Sequence, residues 1–580
     1  MKKCPQCGRE YDNTMMFCLD DGAELLYGPA LSEPGAVATG FRDADEPQTA
    51  ILHETPPPSE AATRAQIHTT EQTPILPSGD SDISETKRYD KRLVLAAVAL
   101  AVVAVSGFLG YRYFSSSNSG TINSIAVLPF ENRSEDPDAE YLSDGLSDSL
   151  IYRLTQLPNL KVSPTSSVMR YKGKQIDVAE IAKELDVDAV MSGKLVQRDD
   201  DLTISVELTD ARTKKLIWAE KYVRKMADLL ATQREIAVKI TEKLQLNLAG
   251  NEKGITKKYT KSNDAYQLYM RGRYSFAKRT KEEMLRSIDY FQQAVKLDPE
   301  FALAYARISE VYCSMPAYPY LSPKEAFPKA KAAAEKALEL DPTLSEAYTS
   351  LAYVQIIYDW DWAGGERSFK RAIELDPTSI SAHFRYGQIY LVPVGRVDEG
   401  ISEMKQGLDA ESLDVNMQVH VAWGYLVMGE NDKALEQARK TYDLEPNHLV
   451  ARWMLSQALT VMGRYDESLS ITEKSLQEDP NNQLAILNAG FAFARSGRRD
   501  KAEEMIGRFR ELAKTQYVQT YWIAPIYGAL GERDKAFAEL EKAFEAKDWG
   551  LHRLKIDPYF RPLHDDPRFT SMLKRLNLPD

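Results

Sequence analysis

Five glycines stand thirty-four residues apart: Gly395, Gly429, Gly463, Gly497 and Gly531. Five residues after each comes a small residue: Gly400, Ala434, Ser468, Ala502 and Ala536. Acidic-Pro pairs recur between them, as Asp298-Pro299, Asp341-Pro342, Asp376-Pro377, Glu445-Pro446 and Asp479-Pro480. Glycine supplies the left-handed backbone that ends a helix, the small residue allows close helix approach, and proline stops the next helix. A fixed period of this kind encodes stacked units, none of which can bury its apolar face alone. The C-terminal half is therefore expected to be an all-α solenoid of helix pairs.

The period and its punctuation resemble the tetratricopeptide repeat over about residues 263–547, roughly eight repeats. Asp298 to Asp341 spans forty-three residues, so the second repeat carries an insertion, SMPAYPYLSP. The fourth repeat lacks its proline and reads GLDAES. The resemblance implies a concave face lined by the first helix of each pair, and places Val419, Trp423, Trp453, Leu487, Phe491 and Tyr521 there. Such a stripe suits an extended peptide or a partner helix. Two other occupants stay open: neighbouring helices, or the chain's own α/β domain. Residues 548–580 leave the period and are expected to cap the array through Phe560, Leu563, Phe569, Leu573 and Leu576. His552 and His564 are expected at the surface.

Leu93 to Tyr111 reads LVLAAVALAVVAVSGFLGY, nineteen residues without a charge. About 20 apolar residues cross a bilayer core, so residues 93–114 are expected to form one transmembrane helix. Lys87, Arg88, Lys91 and Arg92 precede it and only Arg112 follows closely. By the positive-inside rule the N-terminus is cytoplasmic and the large C-terminal body lies outside, as in a single-pass inner-membrane protein. Ala97, Ala101 and Val105 offer one small-residue face. The formal charge of −12 argues against a nucleic-acid partner, whose phosphates need a basic face.

Three of the four cysteines fall in the first eighteen residues. Cys4-x-x-Cys7 has zinc-knuckle spacing, Cys18 follows, and Asp21 (or Asp20) stands where a fourth ligand belongs. Residues 1–27 resemble the short zinc ribbons of bacterial membrane proteins, with Asp21 replacing a cysteine. A closed set of Cys4, Cys7, Cys18 and Asp21 would hold a structural Zn2+; a degenerate ribbon without metal is the other reading. Residues 28–92 are rich in Pro, Thr, Ser, Glu and Ala and read as a disordered linker. Within it QTAIL (48–52) echoes as QTPIL (72–76). Either the echo is coincidence in a biased segment, or Thr49 and Thr73 are substrates of a Ser/Thr kinase. They would then be read by a phosphothreonine-binding protein on the cytoplasmic side.

Between span and repeats lies an α/β domain, residues 121–248 with a trailing helix. Ser124–Pro129 reads as a buried strand and Tyr141–Gln156 as a helix with Leu142, Leu146, Leu150 and Leu154 on one face. Leu160–Ser163 is a second strand, and Asp177 caps a second helix. Ala189–Gln197 and Leu202–Thr209 form a hairpin across a polar turn, Lys215–Val223 adds a strand, and Met226–Leu246 is helical. The order predicts a mixed sheet. SIAVLPFENRSEDPDAEYLSDGLSDSLIYRL, DAVMSGKLVQ and ISVELTDARTKKLIWAEKY resemble the N-terminal α/β domain of TolB and its relatives. In such families this module commonly precedes tetratricopeptide repeats and is often fused to a kinase, a cyclase or a DNA-binding head. Asp144 and Asp148, one turn apart, are expected on one exposed face, serving the helix N-terminus or holding a cation. Gly145 is expected to let the helix approach the sheet.

No P-loop, kinase, nucleophile-elbow or H-E-x-x-H motif occurs. The fold class is thus multidomain: zinc ribbon, single transmembrane helix, TolB-like α/β domain and all-α tetratricopeptide-repeat solenoid. The expected function is a non-enzymatic, membrane-anchored interaction scaffold that binds a protein or peptide in the repeat groove. One alternative is an envelope-sensing signalling component regulated by phosphorylation of its tail. Another is an enzyme using Asp144 and Asp148 of the α/β domain.

Overall fold

The computed structural model describes three two-residue strands before residue 28, then residues 122–246 and 257–579 apart from 135, 137–138, 158–159, 175–176 and 411–413. Met1–Val102 and Val103–Asp580 are separate compact units. In the first, strands β1 (Lys2–Lys3), β2 (Glu10–Tyr11) and β3 (Leu26–Tyr27) form an antiparallel sheet with β1 in the middle. The register pairs Lys2 with Tyr11 and with Tyr27. Cys4, Cys7, Cys18, Asp21, Thr49, Thr73 and the apolar stretch 93–114 lie outside the described residues. Among the described residues no helix is long and apolar enough to cross a membrane.

The second unit begins with a mixed sheet. Its strands are β4 (Ser124–Val127), β5 (Glu131–Asn132), β6 (Lys161–Val162), β7 (Ala189–Arg198), β8 (Asp201–Asp210) and β9 (Lys215–Lys225). The order is β6-β4-β7-β8-β9, with β5 also on β7. β4 runs parallel to β6 and β7, while β7, β8 and β9 form an antiparallel meander. Every residue of β4 is buried, as expected of a parallel strand covered on both faces. Helices α1 (Glu140–Thr155), α2 (Thr165–Met169), α3 (Val178–Leu185) and α4 (Leu229–Lys243) complete the domain. Asp177 caps α3 as its spacing predicts, accepting from the Ala179 amide at 3.0 Å.

The carboxylates of α1 differ from expectation. Asp144 and Asp148 are buried, not on a solvated face. Asp144 receives Lys172 Nζ at 2.7 Å, and burial raises its carboxyl above the usual range despite that partner. Asp148 accepts the Thr165 hydroxyl at 2.6 Å and pairs with Arg273 at 2.5 Å. Arg273 belongs to the first repeat helix, so this pair joins the two domains. Gly145 serves the same junction and not the sheet: a Cβ there would sit 2.8 Å from Met270 Sδ. Tyr266 Oη donates to Ser149 Oγ at 2.8 Å, which donates to Gln233 at 3.1 Å. Among the described residues no group of His, Cys, Asp and Glu could hold a metal ion.

The repeats follow as eight helix pairs. The first four are α5 (Asn263–Ala277) with α6 (Lys281–Leu297), α7 (Ala302–Ser314) with α8 (Pro323–Leu340), α9 (Ser345–Val354) with α10 (Trp362–Leu375), and α11 (Ile380–Arg385) with α12 (Val397–Ala410). The others are α13 (Val415–Met428) with α14 (Asn431–Leu444), α15 (Leu449–Val461) with α16 (Tyr465–Glu478), α17 (Gln483–Arg495) with α18 (Arg499–Leu512), and α19 (Ala524–Ala529) with α20 (Arg533–Ala546). The periodic glycines have φ between 77° and 88°, so each turn needs the left-handed conformation. Ala434, Ser468, Ala502 and Ala536 are fully buried where the two helices meet. A Cβ on Gly400 would meet Val392 at 2.6 Å, which explains the still smaller residue there. Two first helices widen into π turns, at Gln355–Asp359 and Tyr386–Leu391. Cys313 is buried on α7, which pushes its thiol up to about 12 and keeps it unreactive at neutral pH.

The solenoid closes on itself. Trp549 Nε1 donates to Tyr353 Oη at 2.5 Å, and Trp362 Nε1 donates to the Leu576 carbonyl at 2.9 Å. Lys547 Nζ reaches the Tyr358 carbonyl at 2.7 Å and lies over the Trp360 ring. Gln519 Nε2 donates to the Pro316 carbonyl in the second repeat's insertion at 3.2 Å. The eighth repeat and the terminal segment, ending in α21 (Pro567–Arg575), thus return to repeats two and three. Phe560, Leu563, Phe569 and Leu576 are buried, as a cap requires, and Leu573 is partly so. His552 is buried here, contrary to the surface position expected for it, because Trp549 turns it inward and its Nδ1 meets the Trp549 carbonyl at 2.7 Å. His564 is exposed. Asp148→Ala should leave Arg273 unpaired at the domain junction and cost roughly 3 kcal/mol. Chemical denaturation checks this; an unchanged midpoint would mean that the pair does not hold the domains.

Candidate binding cavity on the concave face

The first helices of the repeats face a cavity of about 510 Å³ at the centre of the ring. Its size falls in the range of ligand pockets. Residues from all eight repeats, the insertion and the terminal segment line it. Each first helix brings its inward residues there because its opposite face packs on its own second helix. Asp414 and Asn482 fix two of these helices by capping them, accepting the Met417 amide at 2.8 Å and the Ala485 amide at 3.0 Å.

Aromatic planes form much of the wall. Tyr318 and Tyr320 of the insertion stack at 5.8 Å, and Tyr320 Oη donates to the Arg279 carbonyl at 3.1 Å. Phe384 meets His420 edge to face at 5.4 Å. Trp453, Trp522 and Trp549 add three indoles, all more than nine-tenths buried. The Nε1 groups of Trp453 and Trp522 have no hydrogen-bond acceptor, and neither does Gln483 Oε1 have a donor. These three atoms are also shielded from solvent, so they lie within the wall and not on its open surface.

Three guanidinium groups enter the same space. Arg385 lies over the Tyr353 ring at 4.8 Å. Arg553 lies over Trp549 at 5.3 Å and Trp423 at 5.7 Å, with Asp557 3.5 Å away. Arg279 lies over Phe276 at 3.8 Å. His420 Nδ1 meets the Asn416 carbonyl at 2.7 Å. Burial drives its pKa down to about 4 despite that bond, and Arg553 and Arg385 push in the same direction. His552 falls to about 3, first through burial and then through Arg553. Both imidazoles are therefore neutral at pH 7, and the charged groups of the wall are Arg279, Arg385, Arg553, Asp414 and Asp479.

The six residues placed on the concave face by the repeat pattern are all buried, in different settings. Trp453 lines the cavity. Trp423 lies beneath Arg553. Val419 and Leu487 are packed in the solenoid core. Phe491 stacks on Tyr559 at 4.0 Å, and Tyr521 packs on Phe560 at 4.8 Å and donates to Asp557 at 3.2 Å. The chain's own terminal segment thus covers the groove at the last repeats. Arg385, Trp522, Trp549, Arg553 and the insertion tyrosines complete the site without having been singled out. The insertion was visible as a lengthened period, but no repeat pattern reports where a terminal cap folds back.

Comparison with known proteins touches both domains. Residues 121–240 match the model of the HilA/YgeH-like transcriptional regulator, second domain. The chain is 31% identical over 187 residues to "Putative adenylate cyclase 3" of Rhizobium meliloti (strain 1021), covering 32% of this chain and 32% of that protein. It is 25% identical over 295 residues to "Transcriptional regulator HilA" of Salmonella typhimurium, covering 50% and 51%. The chain therefore spans about half or less of the length of these curated relatives. A tetratricopeptide repeat protein from Parabacteroides merdae ATCC 43184 aligns with 47% of this chain and 98% of its own, at 13% identity and a TM-score of 0.32. The helix-pair repeat of this chain stands on its own packing and period, independent of that score.

Lowered histidine pKa values set a pH dependence. Above the ordinary histidine pKa of about 6.5 both states are neutral, and below it only the unfolded chain takes up the proton. Stability from His552 is present above about pH 6.5 and is lost as pH falls toward its folded value of about 3. His552→Asn should flatten the loss of stability between pH 6 and pH 4.5 by about one proton's slope in denaturant titrations. An unchanged slope would contradict a buried neutral imidazole.

Proposed function

We propose that the chain is a non-enzymatic protein-interaction scaffold, anchored in the membrane by residues 93–114, whose repeat ring binds part of a partner protein. The cavity carries this reading: it is concave, aromatic-walled and lined by residues of all eight repeats. In contrast, the α1 carboxylates on which an enzymatic reading rested are engaged by Lys172, Thr165 and Arg273. Because the terminal segment covers Phe491 and Tyr521, the bound part is a short segment and not a long strand along the whole groove.

The N-terminal unit fits this role as a separate cytoplasmic head. Its strands bracket Cys4 and Cys7 between β1 and β2, and Cys18 and Asp21 between β2 and β3. That order suits a zinc ribbon holding structural Zn2+ through those four residues. Metal analysis of the purified full chain should find one zinc per chain, and its absence would remove this element. The four basic residues before the span support an N-terminus inside the cell. Protease added outside intact cells should then spare the tail; cleavage within residues 28–92 would invert the topology.

A second reading is favoured by the relatives. One is named a cyclase and the other a transcriptional regulator, and the α/β portion, residues 121–240, matches a domain of a transcriptional-regulator family. A chain resembling proteins with such different outputs suits an input unit, TolB-like in its motifs, within an envelope-sensing signalling component. Phosphorylation of Thr49 and Thr73 would then regulate it from the cytoplasmic side, and phosphopeptide mapping that finds neither modified would remove that part.

A photo-crosslinking amino acid at position 453 tests the main reading in intact cells. One discrete protein adduct is expected, competed by excess of the unlabelled repeat protein. A label at exposed Leu216 of β9 with the same yield and no discrete band from 453 would overturn it.

A further inference from the structure

One residue of the cavity wall is placed by a local change in its helix, and it narrows what the cavity can hold. The N-caps Ser379 and Asp414 are thirty-five residues apart, whereas Asp414, His448 and Asn482 follow one another at thirty-four. The fourth repeat takes up its extra residue in the π turn Tyr386–Leu391, which carries Gln388. Single π turns are rare and occur frequently at functional sites. Counted from the caps, Gln388 takes the place that Trp423 holds one repeat later, on the concave face.

Gln388 lines the cavity and is 8 % exposed. Its side-chain amide has no hydrogen-bond partner among the described residues, yet it is not sealed as Gln457 Oε1 and Gln483 Oε1 are. The surface it retains therefore opens on the cavity. A ligand that covers this amide strips it of water and must offer it both an acceptor and a donor. Leaving either unmet weakens binding. Another amide offers both in one plane.

The charges of the wall cancel. Arg279, Arg385 and Arg553 are matched by Asp414 and Asp479 of the same wall, by Asp557 beside Arg553, and by Glu310, whose charge reaches Arg279 and Arg385. A charged ligand would lose its hydration here and find no unbalanced opposite charge to replace it. Tyr318, Phe384 and Trp549 offer flat apolar surfaces to the rest of the ligand.

Resting on the reading that the repeat ring binds a short part of a partner protein, we propose that this part is an uncharged segment. Gln388 recognises one of its main-chain amides, and a neighbouring aromatic side chain of the segment lies on the cavity wall.

Calorimetric titration of the full chain in detergent tests this. The probes are a tripeptide of alanine, tryptophan and alanine blocked at both ends, the same peptide with lysine or glutamate as its first residue, and indole-3-acetamide. The neutral peptide is expected to bind about tenfold tighter than either charged one. Gln388→Met keeps the length of the side chain and deletes its amide. With its melting curve unchanged, it should weaken binding of the neutral peptide about fivefold or more. Should that variant melt early, Gln388→Glu carries the test, since it keeps the shape and deletes the donor, and several-fold weaker binding is expected. A charged peptide binding as tightly as the neutral one, a folded Gln388 variant with full affinity, or no binding of the neutral peptide would overturn the assignment. Binding of indole-3-acetamide alone would assign a free small amide and overturn the partner segment. Crosslinking from position 453 depends on none of these affinities, so the two readings fail separately.

Discussion

Trp549 and Trp362 each give an indole N–H to a group about two hundred residues away, Tyr353 Oη and the Leu576 carbonyl. These bonds, with Lys547 on Tyr358 and Trp360, bring the end of the solenoid back to its third repeat. The apolar packing crosses the seam in both directions. Trp549 belongs to the core shared by the α/β domain and the early repeats, while Trp360 belongs to the core of the late repeats and cap. Such contacts are non-local and depend on every intervening repeat keeping its rotation. Without them the concave side would be an open groove. With them it is a cavity whose walls come from every repeat.

The other end of the solenoid is held as firmly. Helix α1 places Gly145, Asp148 and Ser149 against the first repeat helix, where they meet Met270, Arg273 and Tyr266. Arg153, almost fully buried on the same helix, donates to the Lys257 carbonyl at 3.1 Å and covers the Tyr259 ring. Polar residues that look like a catalytic cluster in the sequence are thus a docking surface. The sheet and the early repeats share one continuous apolar core across this junction.

Much of the architecture was legible because it rests on local rules. The thirty-four-residue glycine spacing corresponds one for one to left-handed turns, and Asp177 caps the helix its position announces. Alternation and apolar runs located the strands of the sheet. What escaped was everything decided by chain returning from afar. Asp144 and Asp148 have surface-type sequence surroundings, and only the docked Lys172 and Arg273 bury them. His552 lies in a polar-looking tail, and only its return to the ring makes it a core residue. Of the site, Trp453 was legible from the repeat register, whereas Arg385 and Arg553 were not. Periodicity marks which face a residue occupies but carries no information on what is opposite it.

Closure of the solenoid is the claim on which the cavity and its chemistry depend. Lys547 of the eighth repeat lies close enough to Lys324 of the second for each to feel the other's charge. A short lysine-to-lysine cross-linker applied to the dilute full chain, followed by mass spectrometry, should join Lys547 to Lys324 or Lys331 within one molecule. An open solenoid would link each lysine only to its own and neighbouring repeats, and that pattern would contradict the account.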